Sequence, residues 1–303
     1  MKIFRDPIHN VINLDTGNKA INDLIIKLID SKEFQRLRFI KQLGFTYLAY
    51  PSATHTRFEH SLGVAFLAKR FLERMPAIED KNLTIVAALL HDVGHGPLSH
   101  TCEDIIGIEH EIWTQAIILG ETEINSLLTQ FDKSCPQIIC DILSSSEVIS
   151  GQLDVDRMDY LLRDSHMTGS GYGRFDLEWM LNVITVDIKD GKIRVVEKGQ
   201  SVAEDFEMAR TYMYKNVYMH KTGLAANNML TMLFKRLKDL DICPCPSIKK
   251  VFLSGNKNPS ELLEDYLSLS DIDLYYMLKQ LKNSEDEPVS GLAGGLLNRR
   301  LIT

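Results

Sequence analysis

The segment that most constrains the fold is LHDVGHGPLSH (90–100), where two ionisable residues directly follow an apolar stretch. Residues 86–90 are all apolar, and a free charge beside them would be costly to bury without a partner. Adjacent residues on a helix point about 100° apart, so His91 and Asp92 can reach one ion only if the helix ends there. Gly94 is placed to stop it. The segment therefore predicts a helix end that carries a partnered His-Asp pair.

Three further segments are dense in the same residue types: RFEH (57–60), EHE (109–111) and DVDRMDYLLRD (154–164). Imidazole and carboxylate groups suit a divalent first-row metal that keeps open positions for water and substrate. Two nitrogen and two oxygen ligands would come from His60, His91, Asp92 and Asp156. The alternative interpretation is that His91 caps a helix and Asp92 is solvated.

Two polar stripes follow predicted helices. The first has the spacing i, i+4, i+8 and consists of Asp156, Tyr160 and Asp164. The second combines cations with aromatic hydroxyls and consists of Arg210, Tyr214, Tyr218 and Lys221. Residues at these spacings share one helix face, and their chemistry suits a phosphate and sugar clamp. A solvated stripe with tyrosine packed at its edge is the alternative.

Helical periodicity dominates the chain, so the sequence predicts a mostly α fold with one or two small β-hairpins. An extended arm is expected at 1–14, and the Asp190-Gly191 turn signal predicts a hairpin within 184–197. The polar stretch 283–291, with Pro and Gly, is expected to be a loop. The predicted helices are 32–43, 57–75, 82–90, 110–119, 134–146, 150–164 and 201–241.

The net charge of −7 is not typical of a broad nucleic-acid-binding face, although it allows an anionic small-molecule substrate in a locally positive cleft. The five cysteines include no C-x-x-C pair, which favours incidental thiols in a reducing compartment. No secretory signal and no membrane-length apolar run is found. A cytoplasmic protein without membrane association is expected.

Five blocks in this order resemble the HD-domain deoxynucleoside triphosphate (dNTP) triphosphohydrolases of bacteria and vertebrates. The resemblance runs from DPIHN (6–10) to about residue 238 and resumes faintly at LLNRRL (296–301). It implies an HD-domain helical bundle that hydrolyses dNTPs to deoxynucleoside and triphosphate with a divalent metal ion: Mn, Fe, Zn, Ni or Mg. The blocks are FQRLRFIKQLG (34–44), HTRFEHSLG (55–63), LHDVGHGPLSH (90–100), DVDRMDYLLRD (154–164) and YMHK (218–221).

The resemblance also implies roles for individual residues. His60, His91, Asp92 and Asp156 would hold the metal ion. His95 and His110 would be the active-site histidines, with Glu103 as the carboxylate paired with His95. The predicted phosphate contacts are Arg57, Arg157, Arg210 and Lys221. The residues expected near the nucleoside are Gln42, Tyr160, Asp164 and Tyr218, with Tyr218 stacked under the sugar to reject a 2′-hydroxyl.

The chain departs from the vertebrate members at Tyr214, where they have His, and at Met219, where they have a polar base-facing residue. Base preference is therefore not carried over. The domain prediction is a catalytic domain at 1–245 and a C-terminal helical extension at 246–303, truncated relative to longer members. A homo-oligomer is expected. The residues of a possible activating-nucleotide site are Asp30, Gln35 and Arg38, which could instead only tie their helix to its neighbours.

Two other functions stay open from the sequence. Another HD phosphohydrolase, such as a phosphodiesterase, nucleotidase or nuclease, would use the same metal ligands. A nucleotide-sensing protein with little catalysis would keep the pocket, but it has no need of both a metal centre and a proton donor. Triphosphate release from a panel of nucleotides would separate these possibilities from a dNTP triphosphohydrolase.

Overall fold

The computed structural model describes residues 2–75, 80–187 and 190–302, and it confirms the mostly α fold. The described strands form two small antiparallel hairpins: β1 (Ile3–Asp6) with β2 (Asn10–Asn13), and β3 (Ile184–Val186) with β4 (Ile193–Val195). They lie within the predicted arm 1–14 and the predicted hairpin 184–197. Residue 1 of the arm and residues 188–189 of the hairpin lie outside the described residues.

The helices follow one another along the chain with short 3-10 and π-helical turns between some of them. The α-helices are α1 (Lys19–Asp30), α2 (Lys32–Arg36), α3 (Arg57–Glu73), α4 (Lys81–Leu90), α5 (His100–Ile106), α6 (His110–Leu119), α7 (Glu123–Phe131), α8 (Cys135–Ser145), α9 (Glu147–Ser150), α10 (Val155–Thr168), α11 (Leu177–Val183), α12 (Gln200–Met213), α13 (Lys221–Leu240), α14 (Pro246–Ile248), α15 (Pro259–Leu267), α16 (Asp271–Leu281) and α17 (Glu287–Leu297).

Helix α3 lies at the centre of the fold, where it packs against α4 and α10. A capping box formed by Thr56 and Glu59 begins it, and buried residues occur on all its faces, as expected for a core helix. A Cβ on Gly63 would lie 1.9 Å from the Asp159 Oδ1 atom, so α10 can approach α3 this closely only at a glycine. This close packing brings His60 on α3 opposite the acidic face of α10.

Helix α4 ends at Leu90, where the sequence predicted a helix end, and His91 is its C-cap. Gly94 was predicted to stop this helix, but in the structure it has a packing role. A Cβ on Gly94 would lie 2.2 Å from the backbone oxygen of His110, and its N–H donates to Thr114 Oγ1 at 3.1 Å. Gly94 therefore lets α6 pack against the turn that follows the helix.

The single helix predicted for 201–241 is wrong, because the segment forms two helices, α12 and α13. A π-helical turn spans Tyr214–Tyr218, and His220 takes an extended conformation that begins α13. The His220 Nδ1 atom accepts a hydrogen bond from the Thr222 N–H at 3.2 Å, which stabilises this new helix start. The break therefore lies between Tyr218, the last residue of the π-helical turn, and Lys221, the first residue of α13.

Three other predicted bounds also differ from the structure. The helix predicted at 32–43 ends early, because Gln42 N–H donates to the His55 backbone oxygen at 3.0 Å and the chain becomes extended. Helix α10 begins at Val155 rather than at 150, with Asp154 as its N-cap. Part of the loop predicted at 283–291 is helix α17, since proline is well tolerated in a first helical turn.

The C-terminal helices share the core of the preceding residues. The Tyr266 ring on α15 stacks on Trp113 of α6 with centroids 3.7 Å apart, and Phe252 stacks on Phe234 of α13 at 4.8 Å. The division into 1–245 and 246–303 stays a prediction, and residues 1 and 303 lie outside the described ranges. No helix within the described ranges has the length and apolar character needed to cross a membrane.

Candidate active site

A cleft of about 750 Å³ collects most of the predicted site residues. His60, Glu103 and Lys221 are not among the described residues that line it, and His60 is fully buried. The predicted residues that line the cleft are Gln42, Arg57, His91, Asp92, His95, His110, Asp156, Arg157, Tyr160, Asp164, Arg210, Tyr214 and Tyr218.

The four predicted metal ligands converge at one point beside this cleft. The His60 Nε2 atom lies 3.0 Å from Asp156 Oδ1 and 3.5 Å from Asp92 Oδ2. The His91 Nε2 atom lies 3.3 Å from Asp92 Oδ1 and 3.6 Å from Asp156 Oδ1. Three helices or helix ends supply these atoms, and His60, His91 and Asp92 also satisfy the spacing of a metal-binding group.

The hydrogen bonds of the two imidazole rings prepare them to bind a cation. The Nδ1 atom of His60 contacts Asp159 Oδ2 at 2.8 Å, and that of His91 contacts the Ala88 backbone oxygen at 2.8 Å. With the proton on Nδ1, each Nε2 atom presents a lone pair, as metal-binding histidines require. Both Nε2 atoms are buried without a hydrogen-bond partner among the described residues. This donor set fits a divalent metal ion.

The electrostatics of the cluster agree with that assignment. Burial lowers the pKa of His60, but contacts with Asp156 and Asp159 outweigh burial and raise it to about 10. Burial raises the pKa of Asp92, but the Arg57 guanidinium and His91 hold it well below its ordinary value. Ionised carboxylates thus surround the imidazoles, and a divalent cation can supply the positive charge that they favour.

A buried network behind the cluster was not predicted from the sequence as part of the site. The Oδ1 atom of Asp159 contacts His9 Nε2 at 2.6 Å, and Arg163 donates two hydrogen bonds to Asp159 at 2.8 and 2.9 Å. Arg163 also donates to Asp6 at 2.7 Å. The N-terminal hairpin therefore helps to hold the carboxylate that orients His60. Asp159 lies in the same sequence block as Asp156, but that block does not indicate that the Asp159 side chain faces α3.

A second cluster places three imidazole rings around Glu103. The Glu103 Oε1 atom lies 3.2 Å from His95 Nδ1, 3.0 Å from His100 Nδ1 and 3.2 Å from His110 Nδ1. The rings of His95 and His110 stack with centroids 3.8 Å apart. The predicted pairing of Glu103 with His95 is present, and Glu103 also holds the other two rings. His100 was missed, although it ends the HDVGHGPLSH block; it lines the cleft and its side chain is 68% exposed.

His95 and His110 differ in how readily they carry a proton. Burial, together with Arg57 and His110, lowers the pKa of His95 to about 3, although contact with Asp92 opposes this. Burial also lowers the pKa of His110, but contact with Glu103 outweighs it, and the net shift is upward. Contacts with the histidines hold the pKa of Glu103 well below its ordinary value, although burial opposes this. The cluster thus contains an ionised carboxylate that favours a protonated His110.

Arg57 occupies a different position from that of a free phosphate contact. Its side chain is buried, donates to Asp92 Oδ2 at 2.6 Å and donates to Ser99 Oγ at 3.0 Å. The pair with Asp92 stabilises the ionised carboxylate that a metal ion needs. Arg57 lines the cleft, but its guanidinium is shared with the metal-ligand cluster.

The other three predicted phosphate contacts do not all lie at the cleft. Arg157 lines the cleft and donates to its N-cap residue Asp154 at 3.1 Å. Arg210 also lines the cleft, 3.8 Å from Glu207, and its side chain is 44% exposed. Lys221 begins α13 beyond the helix break and is not among the described lining residues. The structure therefore brings Arg157 and Arg210 to the cleft and leaves Lys221 outside its wall.

One end of the cleft is built around Asp164. Its Oδ2 atom accepts a hydrogen bond from the Tyr218 hydroxyl at 2.8 Å, and its Oδ1 atom lies 2.8 Å from His55 Nε2. The rings of Tyr160 and Tyr218 meet edge to face at 6.3 Å. Gln42 is buried nearby in the cleft wall, and its Oε1 atom has no hydrogen-bond partner among the described residues. His55, which fixes Asp164, was not predicted as a site residue.

The residues of the possible activator site make contacts within the chain. Gln35 donates to the Ile29 backbone oxygen at 2.7 Å, and Arg38 donates to Gln35 Oε1 at 2.8 Å. The Arg38 guanidinium also lies 3.5 Å from the centroid of the Phe58 ring, and Lys2 forms an ion pair with Asp30. These contacts match the alternative interpretation, in which the residues tie their helix to its neighbours.

The chain is similar in sequence or in structure to several known proteins. The chain is 37% identical to the protein YwfO of Bacillus subtilis, over 99% of this chain and 71% of that protein. A crystal structure of a phosphohydrolase from Bacteroides thetaiotaomicron matches with a TM-score of 0.85 and 32% identity, covering 100% of this chain and 77% of that chain. The chain is 30% identical to human deoxynucleoside triphosphate triphosphohydrolase SAMHD1, and the match covers 79% of this chain and 45% of that protein.

A helical domain with paired His and Asp ligands at a buried centre defines the HD class, and the HD domain model matches residues 57–164. The chain belongs to the HD-domain phosphohydrolase superfamily, within which it is similar to the dNTP triphosphohydrolases. This confirms the resemblance inferred from the five sequence blocks.

Proposed function

We propose that this protein hydrolyses dNTPs to deoxynucleoside and triphosphate. The observation that carries the proposal is that three features meet at one cleft. They are the cluster of proposed metal ligands, the three imidazole rings around Glu103, and the pair formed by Asp164 and Tyr218. Selective hydrolysis of a deoxynucleoside triphosphate needs all three: a centre that activates water, a proton donor, and a surface that distinguishes the sugar. The similarity to SAMHD1, whose name states this activity, supports the same substrate class.

The metal ion would be held by His60, His91, Asp92 and Asp156. When bound, a divalent cation supplies Lewis-acid chemistry that activates water and neutralises phosphate charge. Arg157 and Arg210, at the cleft wall, contribute positive charge to the oxygens of the triphosphate. Arg57 keeps Asp92 ionised and so acts on the metal centre as well as on the cleft.

The bond between the α-phosphorus and the 5′-oxygen breaks as a water oxygen attacks the phosphorus, and the departing 5′-oxygen must gain a proton. His110 lines the cleft, and contact with Glu103 raises its pKa, so it can be protonated near neutral pH. His100 shares Glu103 and is more exposed, which makes it the second candidate for the donor. His95, with its lowered pKa, is assigned to orienting the stacked His110 ring.

Sugar recognition is assigned to Tyr218 and Asp164. Because Asp164 fixes the Tyr218 hydroxyl, the ring has little freedom to move away from a bulkier sugar. A ring packed against the sugar leaves no room for a 2′-hydroxyl, which favours dNTPs over NTPs. Gln42 has a buried amide oxygen without a partner among the described residues, and it can accept a hydrogen bond from the nucleoside.

A strong preference for dGTP over GTP is expected in the native protein, and Tyr218→Ala should reduce the ratio of their kcat/KM values by about tenfold or more. The reason is that the substitution removes the ring that excludes the 2′-hydroxyl. Tyr218→Phe is the matched control, since it keeps the ring and removes only the bond to Asp164. Equal kcat/KM values for dGTP and GTP in the native protein would exclude this role of Tyr218.

Other HD phosphohydrolase activities and a sensing role are the competing functions. A phosphodiesterase, nucleotidase or nuclease would use the same metal ligands but would release no triphosphate. The decisive experiment incubates the protein with the four dNTPs, singly and mixed, with manganese, iron or magnesium, and identifies the products by ion-exchange chromatography. Triphosphate as the product supports the proposal; phosphate or pyrophosphate release, or no turnover, contradicts it.

Assembly and control form a further part of the proposal. A homo-oligomer with an activating nucleotide at Asp30, Gln35 and Arg38 should show a lag or sigmoidal kinetics on one dNTP, and these should vanish when a second dNTP is added. Light scattering measures any accompanying change in mass. Hyperbolic kinetics on every single dNTP, at constant mass, would instead show that these residues only tie their helix in place, as their internal contacts suggest.

A further inference from the structure

The turn that follows the HD pair is strained at two neighbouring positions. Leu98 and Ser99 have φ angles of 58° and 54°. Residues other than glycine rarely adopt such conformations, and they persist where surrounding contacts impose them. His100 begins α5 directly after the turn and reaches the Glu103 cluster. The contacts that hold this turn therefore decide how the active site is formed.

The C-terminal part of the chain supplies one of these contacts through Asp271, the first residue of α16. Asp271 is buried, with 5% of the residue exposed. One of its carboxylate oxygens accepts from the Leu98 N–H at 2.7 Å, and the other accepts from the Lys41 N–H at 3.0 Å. A single side chain thus joins two separate segments of the cleft wall.

Tyr266 on α15 holds the other end of the same turn. Its hydroxyl donates to the Gly94 backbone oxygen at 2.7 Å. Its ring is stacked on Trp113, so the hydroxyl is fixed in place. A Cβ on Gly96 would lie 2.7 Å from that hydroxyl, which shows how closely the turn is packed against it.

A continuous chain of hydrogen bonds leads from these contacts to the metal-ligand cluster. The Ser99 hydroxyl donates to the Lys41 backbone oxygen at 2.8 Å and accepts from Arg57 Nε at 3.0 Å. Arg57 in turn donates to Asp92 at 2.6 Å. Asp271 binds the backbone on both sides of the Ser99–Lys41 bond, so it determines where Ser99 stands relative to Arg57.

We propose that Asp271 and Tyr266 are positioning residues, which hold the 94–99 turn and, through Ser99, orient the Arg57–Asp92 pair for catalysis. Neither residue lines the cleft, so both act through other groups. The helices after residue 258 are then part of the working active site and not only an extension of it. The kinetic consequence rests on the proposed function, whereas the structural consequence can be measured without any substrate.

Asp271→Asn tests the proposal, because a carboxamide retains one acceptor oxygen and places an N–H group opposite the second backbone donor. The expected result is a fall in kcat on the order of 10- to 100-fold with KM nearly unchanged. Hydrogen–deuterium exchange should become faster in peptides covering residues 38–46 and 93–101. Asp273→Asn is the matched control, since Asp273 accepts from Ser270 at the start of the same helix and, among the described residues, from no group of the cleft wall.

Each outcome bears on the proposal. If Asp271→Asn and Asp273→Asn give the same kcat and the same exchange pattern, Asp271 has only a structural role in α16 and the proposal is overturned. If the native protein releases no triphosphate, the proposed function fails, and the exchange measurement alone decides the positioning role. Should Asp271→Asn not fold, Tyr266→Phe, which keeps the ring stack, must reduce kcat and speed exchange at 93–101; native behaviour would overturn the proposal.

Discussion

Asp92→Ala is expected to abolish both metal binding and turnover. Asp92 lies within 3.5 Å of the Nε2 atoms of His60 and His91, so its loss removes a ligand from the centre of the cluster. The substitution also leaves Arg57 buried without its charged partner, and this places a second positive charge where the cation would bind. Metal content measured by elemental analysis, together with triphosphate release, checks the result.

The loss of Arg57's partner makes a second variant necessary, because an uncompensated buried charge also destabilises the fold. Asp156→Ala removes a ligand whose side chain is 31% exposed and whose loss does not unpair Arg57. It should give the same loss of metal and turnover with a smaller change in melting temperature. The exposed Asp104 provides the control, and Asp104→Ala should retain both. Full metal occupancy in Asp92→Ala would show that the ligand set is wrong.

The convergence of the four proposed metal ligands could be predicted from the sequence because these residues stand at helix ends or on polar faces of apolar helices. The His91-Asp92 pair required a helix end, and α4 does end at Leu90. Asp159 could not be distinguished in the same way, since DVDRMDYLLRD contains four aspartates, and the histidines that Asp159 contacts, His60 and His9, lie far away in the sequence. Its role depends on Gly63, which lets α3 approach α10.

The end of the cleft around Asp164 and Tyr218 was predicted less completely. Arg210, Tyr214 and Tyr218 were expected on one helix face, and all three line the cleft. Lys221 was expected to continue that face, but the π-helical turn and the extended His220 begin a new helix before it. Helical periodicity carries no information on a shift in the hydrogen-bonding pattern, so the sequence predicted one helix where two are present.

The contribution of the C-terminal helices could not be predicted from local patterns at all. Asp271 binds Leu98 and Lys41, which are 173 and 230 positions away in the chain. In the sequence it stands in a short polar stretch that resembles an ordinary helix start, and Asp273 does form a capping box there. Two aspartates of one helix turn therefore have different roles, which only the tertiary packing separates.

Glu103→Gln is expected to lower kcat by roughly 10²-fold or more while the metal ion stays bound. Glu103 contacts three imidazole rings and none of the four proposed metal ligands, so its charge acts on proton transfer. In the native protein the carboxylate raises the pKa of His110. A neutral carboxamide lowers that pKa, so His110 loses its proton at a lower pH.

The pH dependence of kcat/KM measures this shift, because its upper limb reports the pKa of the proton donor in the free enzyme. In Glu103→Gln the upper limb should move to lower pH relative to the native protein. Glu111→Gln is the matched control, since Glu111 also contacts His110 Nδ1, at 3.3 Å, but its side chain is 65% exposed and screened by solvent. A Glu103→Gln limb at the native pH would remove the Glu103–His110 pair from the proposed proton transfer. Loss of this limb in His100→Gln would assign the donor role to His100.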